Sequence, residues 1–231
     1  MACLSRVLSA ALFCAALAPA AAMEFHPVGD TLVLSGPVVS DDLVRLRNHL
    51  ASGRFSLVLL HESPGGDLWN GYQVGNRIRE EGLRTAVSGR CESACALIFL
   101  SGIERSFTDG RPLAQTMVGL HGAHAVDTKR PLPELSPRMA YMIRTMTGWK
   151  YPPDLLERTV YPRHAEDIVY AFHPARYEAP GRGVVECLKQ PDVSFKCTML
   201  QGHDALGIGV ITNPDVLPLP APVKELLERL S

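Results

Sequence analysis

The sequence lacks an excess of either charge. Its 23 Lys and Arg balance 24 Asp and Glu, a formal net charge of -1. That removes the electrostatic case for nucleic acid or an anionic membrane surface as partner. It also lacks a long hydrophobic run: the apolar stretch from Val7 to Ala18 is too short to span a bilayer comfortably. There is no internal repeat of fixed period and no low-complexity tract. Paired cysteines at metal-binding spacing are absent and the eight histidines are scattered, so no metal site and no cofactor is expected.

What is present begins with residues 1–22, MACLSRVLSAALFCAALAPAAA. One basic residue, an apolar core and a run of small residues make a secretory signal peptide, cleaved after Ala22. The expected location is therefore periplasmic or secreted. Of six cysteines, Cys3 and Cys14 leave with this segment, and Cys91, Cys95, Cys187 and Cys197 remain. An even number in an oxidising compartment suggests two disulfides. Of the three pairings, spacing favours Cys91–Cys95 and Cys187–Cys197. Buried free thiols are the alternative.

The rest alternates strand and helix patterns. TLVLSGPV and FSLVLLHES are strand-length apolar runs, the second continuous enough to be covered on both faces. SDDLVRLRNHL, with Ser40 as its cap, and GDLWNGYQVGNRIREEG, stopped by Gly82, read as helices. RTAVSG is a short strand, CESACALIFLSG opens a helix near Ser93, TMVGLH is a buried strand, and LSPRMAYMIRTMTG is a Met-rich helix capped by Ser136. This order argues for an α/β core with mostly parallel strands. The expected organisation is a signal peptide over 1–22, a core domain over 23–175, an extension over 176–213 that completes the core with a disulfide-closed hairpin, and a Pro-rich linker with a terminal helix over 214–231.

Three segments follow predicted strands: SPGG at 63–66, CESAC at 91–95 and LHGAH at 120–124. Strand ends at one edge of a parallel sheet are where such folds place their sites. Taken singly, SPGG is a turn, Ser93 a small helix-start residue and His121 a hydrogen-bonded histidine. Together they supply the parts of acyl transfer: Ser93 as nucleophile, His121 as base, and the N–H groups of Ala94 and Gly65 as oxyanion donors.

At these residues the chain resembles the Clp protease/crotonase superfamily, most closely Clp-type serine peptidases. SPGG is similar to the family's glycine oxyanion segment, SACALIFLSG with Arg105 to its nucleophile helix, VGLHGAH to its histidine segment, and GHDALGIGVIT at 202–212 to the segment after its catalytic aspartate. The resemblance spans residues 30–170 and 192–212, and is closest to a secreted branch with cysteines flanking the serine. It implies a ββα spiral core and a Ser-His-Asp triad acting on peptides or proteins. Asp167 is the favoured orienting acid and Asp192 the alternative; His124, Lys129 and Lys150 are the alternative bases. An ATP-driven partner is not expected outside the cytoplasm, and a homo-oligomer is compatible with the Met-rich helix. A binding or assembly module that kept the fold without the activity is the competing reading. Glu92, where the family keeps a small residue, is unexplained.

Overall fold

TLVLS is buried at every position and LVLLHES at all but one, because apolar side chains on both faces of a strand need cover from both sides. In the computed structural model, which describes residues 22–125, 127–177 and 181–230, these two runs are β2 (Thr31–Ser35) and β3 (Leu57–Ser63). β1 (Glu24–Val28) precedes them, and α1 (Asp42–Ser52) and α2 (Leu68–Glu80) flank β3. Next come β4 (Arg84–Glu92), α3 (Ala94–Leu100), β5 (Arg105–Phe107) and β6 (Met117–Leu120). The chain ends with α4 (Ser136–Met146), α5 (Pro153–Val160), β7 (Ile168–Ala171), β8 (Val184–Lys189), β9 (Phe195–Met199) and α6 (Ala221–Arg229). The signal-peptide expectation falls, up to residue 21, outside the described residues.

The strands form one mixed sheet in the order β1-β2-β3-β4-β6-β7-β8-β9, with β5 also paired to β4. β2, β3, β4, β5 and β6 pair in parallel; β1 and the β7–β9 meander are antiparallel to their neighbours. Five of the nine strands, β2 to β6, are thus joined by parallel pairings, the mostly parallel core that the strand–helix alternation implies. β4 changes partner along its length. Thr85–Val87 pair with β5 and Arg90–Glu92 with β6. Gly89, at φ +79°, lies between the two halves, opposite an irregularity of β3 around Glu62. The tip of β4 is thereby free to carry the next turn towards β6.

Two apolar layers cover the sheet. The larger contains α2, α3 and α4. The smaller joins Val33, Leu57, Leu59 and Ala86 to Leu219, Val223, Leu226 and Leu227 of the C-terminal segment. The terminal helix is therefore a cover for the second sheet face. The α4 methionines Met139, Met142 and Met146 are buried, and the face left to solvent carries Tyr141, 64% exposed. α2 approaches α3 closely because Gly71 and Gly75 lie one turn apart. A Cβ at Gly71 would come 2.8 Å from Ala94, and one at Gly75 2.3 Å from Ser101 Oγ.

Several helix starts differ in detail from the sequence reading. α1 is preceded by Asp41 rather than capped by Ser40, and Ser136 is the first residue of α4, its hydroxyl bonded to the Val160 carbonyl at 2.5 Å. Gly82, in the left-handed region at φ +66°, follows the end of α2 as expected. Cys187 and Cys197 face each other across β8 and β9 and are bridged, with a Cα–Cα distance of 4.0 Å. That is the short spacing of directly opposed residues in an antiparallel pair.

Candidate active site

Ser93 occupies the turn between β4 and α3 with φ 56° and ψ −123°. A non-glycine residue in that region is strained by about 1–3 kcal/mol and persists only where its surroundings enforce it. Three contacts do so here. The Ser93 N–H donates to the Gly119 carbonyl of β6 at 2.8 Å, and the Ser93 carbonyl accepts from Leu97 N–H at 3.3 Å. The Cys91–Cys95 disulfide, with both half-cystines buried, ties the end of β4 to the first turn of α3. A loop this short gains little from chain entropy, so the bridge acts locally, fixing the turn that presents Ser93. The hydroxyl makes no capping bond to α3, which leaves Oγ available for chemistry.

SPGG closes on this turn. A Cβ on Gly65 would stand 2.5 Å from both Glu92 O and Ser93 Cβ and 2.9 Å from Ala94 N, and Gly65 itself has φ +83°. Only glycine allows this approach. The segment is held on its other side by Val38, whose N–H donates to Gly65 O at 2.8 Å and whose carbonyl accepts from Asp67 N–H at 2.9 Å. The Gly65 N–H has only a long contact, 3.4 Å, to Ser63 Oγ. No described residue accepts from Ala94 N–H, the first amide of α3. Gly65→Ala is therefore expected to cut any Ser93-dependent reaction by at least about 100-fold, the loss typical of an oxyanion donor. Gly82→Ala, with nothing within 4 Å of the added Cβ, should cost about 1–2 kcal/mol of stability and leave the reaction unchanged. Melting temperature and active-serine labelling rate, read side by side, check this pair.

His121 follows β6, and its Nδ1 lies 2.8 Å from the Gly122 carbonyl. That bond places the proton on Nδ1 and leaves Nε2 as the basic lone pair. The ring stacks on His124, centroids 5.2 Å apart. Burial pulls the His121 pKa below the ordinary histidine range, with His124 and Lys129 adding to the effect and the Gly122 carbonyl opposing it. The imidazole is thus held neutral at neutral pH. Ser93, Gly65 and His121 line one cavity of about 590 Å³, together with His124, Lys129 and Arg138. No hydrogen bond joins Ser93 to His121 in this conformation.

Asp167 is not brought to His121. Its Oδ2 accepts the N–H groups of Arg163 and His164 at 3.0 and 2.9 Å, and its Oδ1 accepts that of Lys189 at 2.9 Å. With three backbone donors on a buried side chain, it fastens the loop before β7 to the end of β8. Asp192, the alternative, caps its own turn through Ser194. The group on the far nitrogen of His121 is a backbone carbonyl, which no sequence pattern announces. Lys150 does not line the cavity.

Glu92 now has an explanation. In register, Glu92 faces Gly119 and Gly119 faces Tyr170. Gly119 has no side chain, so the Tyr170 hydroxyl reaches over it and donates to Glu92 Oε1 at 2.8 Å. Glu92 thereby locks the tip of β4 to β7 across β6, one residue before Ser93.

No protein-family model matches the chain, and no curated protein does. Solved structures similar to it include a membrane-bound stomatin-specific protease variant, at 12% identity and a TM-score of 0.45, covering 85% of this chain and 81% of that one. A ClpP1 variant from Listeria monocytogenes is 12% identical with a TM-score of 0.49, covering 82% of this chain and 92% of its own. At that level of similarity only its own residues can carry an assignment of chemistry.

Proposed function

We propose that the protein is an exported, ATP-independent serine hydrolase acting on peptides, with Ser93 as nucleophile and His121 as general base. One observation carries this. Ser93 is a strained residue at a strand-to-helix turn, its hydroxyl is unused by the helix it precedes, and it opens into a cavity that also holds a histidine kept neutral. In the reaction, His121 Nε2 takes the Ser93 proton as Oγ bonds to the substrate carbonyl carbon. The carbonyl oxygen, now an oxyanion, is held by the Ala94 and Gly65 N–H groups. Collapse expels the amine, which takes the proton back from His121, and water then releases the acyl group by the reverse use of the same base. The Gly122 carbonyl fixes the His121 tautomer, the part the resemblance assigns to an acid. On this reading the Ser93–His121 hydrogen bond forms in the substrate complex, since catalytic pairs often tighten only there. The two disulfides support export.

A fluorophosphonate probe is expected to label the wild-type protein, and Ser93→Ala should abolish labelling. His121→Ala should slow it about 100- to 10,000-fold. A second reading, a binding or assembly module of the same fold, is favoured by the absent Ser93–His121 bond and by the position of Asp167. There Ser93→Ala would leave partner binding intact. Absence of labelling together with no hydrolysis across a broad peptide and ester panel would overturn the first reading in its favour.

A further inference from the structure

The cavity beside Ser93 has an asymmetric chemistry. Its floor is apolar, built from Leu68 and Tyr72 of α2, Leu135 before α4, and Met139 and Met142 of α4. Methionine side chains adapt to apolar groups of different shape. Its charged lining is cationic: Lys129 and Arg138, with Asp67 as the one carboxylate. Asp67 is already engaged, its Oδ1 accepting Asn70 N–H at 2.7 Å as the cap of α2.

Arg138 is held in place without being neutralised. Its guanidinium carbon lies 4.3 Å from the Trp69 ring centroid and 5.7 Å from that of Tyr72, a cation–π arrangement that orders the side chain. Among the described residues it has no hydrogen bond or ion pair to a carboxylate. Lys129 lies close enough to lower the pKa of both His121 and His124, and its ammonium likewise has no described acidic partner. Glu166 pairs with Lys189 at 2.6 Å and Glu92 accepts from Tyr170, while Asp127 and Glu134, close in sequence to Lys129 and Arg138, are exposed, do not line the cavity and form no described ion pair with either cation. One cation held by aromatic rings and a second, exposed one beside an apolar wall favour a substrate that brings the missing negative charge.

We propose that this cavity selects peptides presenting an apolar residue at the attacked bond and a carboxylate side chain next to it, with Arg138 and Lys129 as the specificity-determining residues. This rests on the hydrolase reading for the bond attacked, but the binding preference is measurable without turnover. In the Ser93→Ala protein, which keeps the cavity, acetylated leucine-rich peptide amides carrying one Asp, Asn or Lys before or after the leucines are titrated by calorimetry and by quenching of Trp69 fluorescence. The Asp peptide should bind about tenfold more tightly than its Asn twin in one of the two registers. The preference should shrink as salt rises from 0.05 to 0.5 M. It should vanish in Arg138→Gln/Lys129→Gln while binding of the Asn peptide persists. Equal binding of the twins in both registers, tightest binding by the Lys peptide, or no binding by any of them overturns the proposal. A preserved Asp preference in a wild-type protein that neither reacts with the probe nor cleaves peptides would instead sink the hydrolase reading and leave this one standing. Probe labelling with no charge preference would do the reverse.

Discussion

Replacing Arg105 with alanine is expected to destabilise the fold by about 4 kcal/mol, in the range found when one side of a buried charged cluster is removed. Arg105 is 4% exposed, and among the described residues its guanidinium pairs with no acid. Nε donates to Val210 O, Nη2 to Gly209 O and Nη1 to Gly102 O, each at 2.9 Å, with Leu100 O at 3.4 Å. Burial, helped by Arg79, lowers its pKa to about 10, so it stays charged at neutral pH. Two of the four carbonyls lie at the C-terminal end of α3, where the helix dipole favours a cation. The other two belong to the 202–212 segment, whose Ile208, Val210 and Ile211 are buried. Arg105 therefore clamps a segment over a hundred residues away onto the helix that carries Ser93. Alanine leaves all four carbonyls without their donor, and each such buried group costs about 1–3 kcal/mol unless water reaches it. Lysine can reach only part of the set, so Arg105→Lys should lose roughly half as much. Urea unfolding of the two variants checks this. A loss below about 1 kcal/mol for alanine would show that the carbonyls find other partners and that the clamp does not hold the segment.

That clamp is half legible in the sequence: Arg105 and GHDALGIGVIT each belong to a motif, but nothing local joins them. The same divide runs through the site. SPGG and LHGAH can be placed at strand ends because apolar runs lead into Pro-Gly-Gly and His-Gly, and CESAC because a strand pattern gives way there to an apolar helix, which are local signals. Asp167 could not be placed, because an acid's partner is a tertiary fact. Its own neighbourhood held the better clue: an aspartate three and four residues after the irregular Arg163–His164 stretch is well spaced to accept their N–H groups, as Asp and Asn commonly do in loops. Glu92 was opaque for a related reason. Its partner Tyr170 is two strands away, and the bond exists only because the intervening residue is Gly119. The terminal helix is legible as a helix, since Val223, Leu226, Leu227 and Leu230 repeat at helical spacing; the sheet face that these residues cover is again a tertiary fact. The close packing of α2 on α3 was written in Gly71 and Gly75, one turn apart.

The stability of the fold should fall by about 3 kcal/mol between pH 4 and pH 7 through one group, Asp42. Its side chain is fully buried. Oδ2 accepts the Val39 N–H at 2.7 Å, while Oδ1 has no hydrogen bond and lies 3.5 Å from Arg45 Nη1. Burial raises its pKa from 3.8 to about 6, against the pull of Val39 and Arg45, with Asp41 and Asp67 adding to the rise. The sign follows from proton counting. Below about pH 4 the carboxyl is protonated in both folded and unfolded chains and contributes nothing. Between about 4 and 6 the unfolded chain has released the proton and the folded one has not, so rising pH favours unfolding. Above 6 both are ionised and the full penalty, about 3 kcal/mol for a rise of this size, is in place. Asp42→Asn removes the titration and keeps an oxygen for Val39. Other acids titrate alike in both proteins, so the stability of the variant minus that of wild type should rise by about 3 kcal/mol between pH 4 and pH 7.5 in urea unfolding. A difference that stays flat over that interval would mean that Arg45 or entering water compensates the charge. The position matters for the site as well as for stability. Val39 follows Val38, and Val38 holds Gly65 and Asp67 from the side away from Ser93. Asp42 is thus the buried anchor of the stretch against which the SPGG segment is built, and Asp42→Ala, which drops the Val39 bond altogether, should slow probe labelling of Ser93 where Asp42→Asn does not.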